Sequence, residues 1–520
     1  MCGIIIVHCE NEESNLERII AGYNSLSNRG PDSGRMVIDD NAIVGFRRLA
    51  IVGASADGMQ PFVQGETTVV CNGEIYNHKD LEREHGLSPT SGSDCECILH
   101  LYKEKGIEFT VNALSGDFAF VIVDGDTVHM ARDRIGVRPL FFGFTKSGNL
   151  AVASYARAIT GYCDDVCPLK PGWASYRSGT TIPEFYPYPP PSPSTMLTDA
   201  GDALSLVHDT LVASVRSRLM SERPIGCLLS GGLDSSLVTS ILCKLIGPEN
   251  VRTYSVGISG SKDLFYARQV AEYLGTKHRE VLFTPEEGFA AIPSVIRDLE
   301  SYDITTVRAS VGMWILSKWI SENTDDIVIL SGEGADELFC GYLYFHYAPS
   351  PEELADESQR LIDNLHRYDV LRADRCVCSH GLELRVPFLD RDMIDLCASM
   401  SPGLKAPQGG LEKHTLRSAF LDGYLPKDVL WRRKDGMSDG VSGDNGKKWY
   451  EEIQGFVESI ISDEEFAASS FPTKEALYYK QMYDGFFPDY DAGAEYWMPR
   501  WIDTGGDPSG RVLPVFQGSS

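Results

Sequence analysis

The stretch PIGCLLSGGLDSSLVTSILCKL, Pro224 to Leu245, decides how the second half of the chain is read. A short apolar run, a glycine turn and apolar residues at helical spacing predict a buried strand, a tight loop and a helix. Glycines let backbone N–H groups approach an anion, and the N-terminus of the helix that follows favours negative charge. Within that turn SGGLDSS, Ser230 to Ser236, adds three hydroxyls and the carboxylate of Asp234. Phosphate donors and a candidate Mg²⁺ ligand therefore share one loop.

Moving outward, VRTYSVGI and DIVILSGEGADE supply two more strand-then-loop units, so a parallel sheet is expected, with ligand-binding loops at the strands' carboxyl ends. The second loop, LSGEGADELFCGY, crowds Glu333, Asp336 and Glu337 onto a tight turn. Crowded carboxylates raise one another's pKa and can hold Mg²⁺. Upstream, Leu204, Val207, Leu211, Val215 and Leu219 recur at helical spacing. Before them TTIPEFYPYPPPSPST, Thr180 to Thr195, is proline-rich and marks a domain boundary. The chain is accordingly divided into residues 2–190 and 200–520. The first part reads as short β-rich segments, CGIIIV, NAIVGF, TTVVCNGEIYN, FAFVIVDGDTVHMARD, PLFFGFT and LAVASY, which suggests packed antiparallel sheets.

Bulk properties narrow the classes. A chain of 520 residues exceeds one usual core, and 43% hydrophobic with 23% charged residues is ordinary for a globular protein. A formal net charge of -27 disfavours bulk attraction to nucleic acid or anionic membrane. No apolar run approaches the roughly 18 residues needed to span a bilayer, and no secretory leader pattern opens the chain. Thirteen scattered cysteines suit a reducing compartment, so a cytoplasmic location is expected. The pairs Cys95/Cys97, Cys163/Cys167 and Cys376/Cys378 lack zinc-site spacing and read as free thiols.

The opening MCGIIIVHCE poses a separate question, because nothing in the strand GIIIV needs Cys2 for packing. Removal of Met1 would give Cys2 both a thiol and a free α-amine, with reference pKa values near 8.5 and 8. A terminal cysteine can so bring its own nucleophile and its own base. A small buried hydrophobe beside a strand is the plain alternative.

The motifs RGPDSG, RRLAIV, CNGEIYNH and SGSDCE follow Cys2 in order, then SGGLDSS, SGEGADE and the tail EYWMPRWIDTGGDPSGR. SGGLDSS resembles the pyrophosphate loop of the ATP pyrophosphatases, and no G-x-x-x-x-G-K-S/T loop occurs. From Cys2 to about Arg511 the chain resembles the glutamine-hydrolysing asparagine synthetases. The resemblance implies an α+β N-terminal nucleophile-type β-sandwich (α/β/β/α) followed by an α/β parallel-sheet ATP-pyrophosphatase domain. It implies Cys2 as the nucleophile that opens glutamine, Asn72 and Gly73 as the oxyanion hole, and Arg48 on the glutamine carboxylate. Leu49, Ala50, Ile51 and Val52 would line that pocket, with Glu74 and Asp94 on the ammonium. It further implies Leu229, Ser230, Gly231, Gly232, Leu233, Asp234, Ser235, Ser236, Val256, Ser331 and Gly332 at ATP. Mg²⁺ would sit on Asp234 and Asp336, and Thr305, Thr306 and Arg308 would contact aspartate or phosphate. Glu333 is then the candidate base and Lys434 the candidate cation for phosphoryl charge. The implied partners are glutamine, aspartate, ATP and a second copy in a homodimer.

Three places depart from the family pattern. RGPDSG is one residue shorter than usual, Phe46-Arg47-Arg48 replaces a histidine-containing run, and Gly436-Met437 stand where a polar and an aromatic residue are typical. Two other readings stay open on the residues alone: a ligase amidating a different acid, and a regulatory glutamine- or nucleotide-binding protein without catalysis.

Overall fold

A computed structural model of the chain describes residues 1–8, 13–39, 41–180, 182–188, 196–433, 441–443, 447–493, 495–504 and 506–508. In chain order the first part contains β1 (Gly3–His8), α1 (Leu16–Ser25), β2 (Ser33–Ile38), β3 (Ala42–Arg48), β4 (Phe62–Gln64), β5 (Thr67–Ile75), α2 (His78–His85) and α3 (Glu96–Ala113). It continues through β6 (Gly116–Asp124), β7 (Thr127–Arg132), β8 (Phe141–Thr145), β9 (Leu150–Ala153), β10 (Cys163–Pro168), β11 (Gly172–Arg177) and β12 (Glu184–Tyr186). These strands build two six-stranded antiparallel sheets, ordered β10-β8-β9-β1-β3-β2 and β12-β11-β7-β6-β5-β4.

Alternation along the strands stacks four layers. Ile4 and Ile6 of β1 join Val44 and Phe46 of β3 against Val70, Val121 and Met130 of the other sheet. Ile5 and Val7, pointing the opposite way, pack with Ile19 of α1. On the far side Val69 and Cys71 of β5 pack with Ile98 and Leu101 of α3. Both faces of each sheet are covered, which is why GIIIV reads as an unbroken apolar run.

The second part holds α4 (Ala200–Ser217), β13 (Ile225–Leu228), α5 (Leu233–Ile246), β14 (Arg252–Gly257), α6 (Lys262–Leu274), β15 (Lys277–Leu282), α7 (Pro285–Leu299) and α8 (Ile304–Asn323). It then runs through β16 (Val328–Leu330), α9 (Ala335–Leu338), α10 (Pro351–Asn364), α11 (Asp369–Cys378) and β17 (Glu383–Arg385), with further short helices behind. The five strands form a wholly parallel sheet ordered β15-β14-β13-β16-β17. Chain order runs outward from β13 through β14 in one direction and through β16 in the other. The crevice between β13 and β16 is therefore a topological switch point, where such sheets bind ligands. Among the described residues, no helix is long and apolar enough to cross a membrane.

Candidate active sites

Gly3 pairs with Arg47, which puts Cys2 at the end of the β1–β3 ladder beside Arg48. The Cys2 thiol points at the Leu49 carbonyl, 3.6 Å away, and the Cys2 carbonyl accepts from Arg29 Nε at 2.9 Å. Burial pushes the thiol's pKa up, an effect opposed by the nearby terminal ammonium. Met1 is itself buried, its ammonium 3.4 Å from the Leu382 carbonyl.

Asn72 and Gly73 sit within β5, opposite Ala119 and Phe118. Asn72 is fully buried, and neither its Nδ2 nor its Oδ1 has a hydrogen-bond partner. An unmade bond of this kind costs about 1–3 kcal/mol. An oxyanion accepting from Nδ2 would remove part of that cost as it forms. Gly73 has φ 151°, and a Cβ there would lie 2.1 Å from the Asp117 carbonyl, so the strand crossing admits glycine alone.

Glu74 and Asp94 are both buried, with their carboxyls above the usual range chiefly through desolvation. For Glu74, neighbouring Asp94 and Glu383 push further in the same direction. Asp94 accepts from Ile75 N at 2.6 Å, and Glu74 Oε2 lies 3.6 Å from Arg385 Nη2 without a hydrogen bond. Two crowded buried acids fit an incoming ammonium, which would restore their ordinary charge. Arg48 is held by the loop below it, donating to Ser55 O at 2.7 Å and to Gly53 O. Gly58 makes room for this, since a Cβ there would be 2.4 Å from Arg48 Nη2. The floor formed by residues 49–52 is pinned through Ala50 N to Asp32 at 2.9 Å and through Ile51 O to Glu222 N at 2.9 Å. Val52 is half-buried at its end.

The second site lies at the carboxyl ends of β13 and β16, in a cleft of about 260 Å³. Gly231 has φ 73°, and a Cβ there would meet Ala267 N at 2.4 Å. The turn is drawn in by Ser230 N donating to Ser235 Oγ at 3.1 Å, while the Ser236 hydroxyl is buried without a partner. Gly232, Leu233, Asp234, Ser331 and Gly332 line the same cleft. A Cβ on Gly332 would be 2.6 Å from Ser235 N, so the two loops touch backbone to backbone. Leu229 and Val256 face an adjoining chamber with Leu316 and Gly312, an apolar slot next to a phosphate-type loop. Glu333 pairs with Arg372 at 2.9 Å; burial raises its pKa and Arg372 opposes the shift. Beside it Glu337 is held near 8 by burial and by Asp369 and Asp336, and it accepts from Tyr342 at 2.6 Å. Asp234 and Asp336 face each other across the cleft with Lys413 Nζ between them, at 2.6 and 2.7 Å. Two close carboxylates, with Asp234 Oδ1 buried and unpartnered, are a donor set suited to a hard divalent cation.

Thr305 and Thr306 do not line this cleft or the chamber. Thr306 spends its N–H and hydroxyl on Asp303, capping α8. Arg308 reaches the chamber wall, but its guanidinium is held by Glu475 and Asp507. Lys434 and the Gly436-Met437 departure lie outside the described residues. Sequence reasoning missed Lys413, Arg372, Glu383 and Arg385. None stands in a glycine-rich motif, and each reaches its site from a distant part of the chain.

Between the sites the two halves meet over buried charge. Arg29 and Arg138 share Asp374 at 2.9 and 3.3 Å, and Glu300 accepts from Ala156 N at 3.1 Å and Arg157 N at 2.9 Å. Arg385 belongs to both sites: its carbonyl accepts from Ser331 N at 3.0 Å while its guanidinium faces Glu74.

An antiparallel sandwich with a cysteine at its first strand, joined to a parallel sheet with an anion loop at its switch point, has the architecture of an amidotransferase fused to a nucleotide-using synthetase. Residues 1–170 match the family model described as glutamine amidotransferase domain, and residues 206–356 and 348–503 match that described as asparagine synthase. The glutamine-hydrolyzing asparagine synthetase of Cricetulus griseus is 41% identical over an alignment of 567 residues, covering 100% of both chains. Those of Gallus gallus and Homo sapiens are 41% and 40% identical, each covering 99% of both chains. The chain belongs to the asparagine synthase family.

Proposed function

We propose that this chain makes L-asparagine from L-aspartate and ATP with ammonia drawn from glutamine, releasing AMP, pyrophosphate and glutamate. The observation that carries the reading is the buried Asn72 amide without a partner in the strand that also presents Gly73 and Glu74. Residues 2–190 act as the glutaminase and 200–520 as the synthetase.

Once Met1 is removed, the α-amine of Cys2 takes the thiol proton and the sulfur attacks the side-chain amide of glutamine. Asn72 Nδ2 and the Gly73 N–H donate to the oxygen as it gains charge. Arg48 holds the substrate carboxylate, and Glu74 and Asp94 hold its ammonium. Collapse to a γ-glutamyl thioester frees ammonia, and water then releases glutamate. In the second site Ser230 to Ser236 cradle pyrophosphate, and Leu229, Val256, Ser331 and Gly332 hold the nucleotide. A magnesium ion on Asp234 and Asp336 would neutralise charge on the departing pyrophosphate. Adenylation of the aspartate β-carboxylate gives β-aspartyl-AMP. Ammonia attacks that acyl group, Glu333 takes a proton from the nitrogen, and Lys434 meets the phosphoryl charge. For aspartate, Arg308 acts at the chamber wall, with Thr305 and Thr306 on the same turn of α8. A cytoplasmic location is part of the proposal, supported by twelve free cysteines among the described residues.

The test is incubation of purified protein with glutamine, aspartate, ATP and Mg²⁺, with products identified by mass spectrometry. Asparagine and AMP in equal amounts are expected; glutamate alone would overturn the second half of the reading. Intact mass should show Met1 absent, and a retained Met1 in fully active protein would remove the self-base step.

A further inference from the structure

Lys413 occupies the space where the two candidate metal carboxylates converge. Its side chain is 3% exposed, and its Nζ lies 2.6 Å from Asp234 Oδ2 and 2.7 Å from Asp336 Oδ1. The surroundings are shaped to keep it there. Lys413 has a left-handed backbone, φ 55° and ψ 35°, at the start of the helix His414–Ala419. That conformation is costly for a residue with a Cβ and persists only where the surroundings enforce it. Across the site Gly341 clears a path for the stem: a Cβ there would be 2.0 Å from Lys413 Cε and 2.1 Å from Asp336 Oδ1. The backbone contact of Gly332 with Ser235 and Asp234 fixes the spacing of the two loops.

A divalent cation bridging the same two oxygens would need them at about 2.0–2.6 Å. An ammonium already within hydrogen-bond distance of both leaves no room for it. We propose that Lys413 is a resident counter-ion, which closes the metal position in the nucleotide-free chain and is displaced when a divalent cation arrives with a polyphosphate. The inference rests on the reading of this cleft as a magnesium-nucleotide site.

The charge count favours the exchange. Asp234, Asp336 and Lys413 together carry one net negative charge; with a divalent cation added they carry one net positive charge. A cation without an anion would leave the displaced ammonium to compete for acids already engaged: Glu333 and Asp369 hold Arg372, Asp263 faces Arg432, Glu337 holds Tyr342 and Glu412 holds His346. A cation accompanied by pyrophosphate gives that ammonium an oxygen to donate to. Lys413 so makes the cleft selective for the pair over the bare ion, and keeps two close carboxylates from repelling each other in the interval.

The experiment measures Mn²⁺ binding to the full chain by electron paramagnetic resonance, with and without inorganic pyrophosphate. The proteins are the wild type, Lys413→Met and Lys413→Arg. Without pyrophosphate, Lys413→Met should bind Mn²⁺ at least 10-fold more tightly than wild type, and Lys413→Arg should stay within about 3-fold of it. Thermal unfolding supplies a second readout: Lys413→Met should melt lower than wild type in chelator and recover with Mn²⁺ alone. Equal pyrophosphate-free affinity in wild type and Lys413→Met would overturn the proposal. If Lys413→Met does not give a cooperative melt, Lys413→Gln, which keeps a polar stem without charge, makes the same comparison. Wild type that binds no Mn²⁺ even with pyrophosphate would instead count against the magnesium-nucleotide reading itself.

Discussion

In the pocket at Cys2 the Asn72 amide stands without a partner at both side-chain atoms and Glu74 lies 3.6 Å from Arg385 without a hydrogen bond, whereas in the cleft at Glu333 the charged side chains hold one another, with Ser236 Oγ and Asp234 Oδ1 left over. There Glu333 holds Arg372, Asp234 and Asp336 hold Lys413, and Ser230 holds Ser235. The difference follows from how each site is built. The first lies on the strands β1, β3 and β5, whose ladders hold an unpartnered group in place and leave its free energy available to the substrate. The second lies on loops after parallel strands, where unpaired charges would repel or collapse. Its partners must therefore be exchanged when ligand binds, so the two sites should respond differently to the loss of a side chain.

The two sites should separate most clearly at their chemical centres, Cys2 and Glu333. Cys2→Ala should lower glutamine-dependent asparagine formation by roughly 10⁴-fold, since a nucleophile has no substitute. Ammonia-dependent synthesis should be preserved. Loss of both together would mean that the pocket and the cleft are not separable. Glu333→Gln is the mirror experiment, expected to reduce synthesis by about 10²–10⁴-fold, the range of a general base. Glutamate release from glutamine should survive it, and an equal fall in both rates would remove Glu333 from its assigned role. The Glu333→Gln variant also takes one of two acidic partners from the buried Arg372, leaving Asp369 at 2.8 Å, so a melting temperature should be recorded alongside the rates.

Asn72→Ala sharpens the contrast between unsatisfied and satisfied groups. Removing one oxyanion donor costs about 10²–10³-fold in kcat. Because the Asn72 amide has no partner in the free chain, its loss should not destabilise the fold, and the variant should melt at or above the wild-type temperature. A strongly lowered melting temperature would show that Asn72 is bonded in solution and would weaken the case for the pocket.

Much of this was legible in the sequence where local chemistry and local structure coincide. SGGLDSS announced a strand, an anion turn and a helix, and β13, the turn and α5 follow in that order. CGIIIV, NAIVGF, TTVVCNGEI and LAVASY became β1, β3, β5 and β9, because each buries both faces and so reads as an apolar run. The strands β2, β4, β10 and β12 were not legible: they are mostly exposed and mixed in polarity, and each is held by backbone pairing to a nearby strand, β3, β5, β8 and β11, rather than by an apolar pattern of its own. Nor could spacing reveal Lys413 beside Asp234, which is 179 residues away, or the double role of Arg385. The DITTVRAS segment shows the converse. In the free chain Asp303, the N-cap of α8, accepts from the Thr306 N–H and hydroxyl, and Glu475 holds Arg308 from a helix near the chain's end, so neither partner was visible in that line of sequence.

The smallest effect expected is the most specific to the preset pocket. Arg48 is aimed by two carbonyls, Ser55 O on one terminal nitrogen and Gly53 O on the other, beneath a floor fixed by Asp32 and Glu222. Arg48→Lys keeps the charge but cannot hold both carbonyls and still present a paired fork to a carboxylate. Losing one charge-assisted hydrogen bond costs about 1.5–3 kcal/mol, so the KM for glutamine should rise at least about 10-fold. With Cys2, Asn72 and Gly73 untouched, kcat at saturating glutamine should change little, and the KM for aspartate not at all. A fall in kcat with KM unchanged would mean that Arg48 acts on the reacting amide rather than on the distant carboxylate. The pocket would then be oriented in the opposite sense along β3.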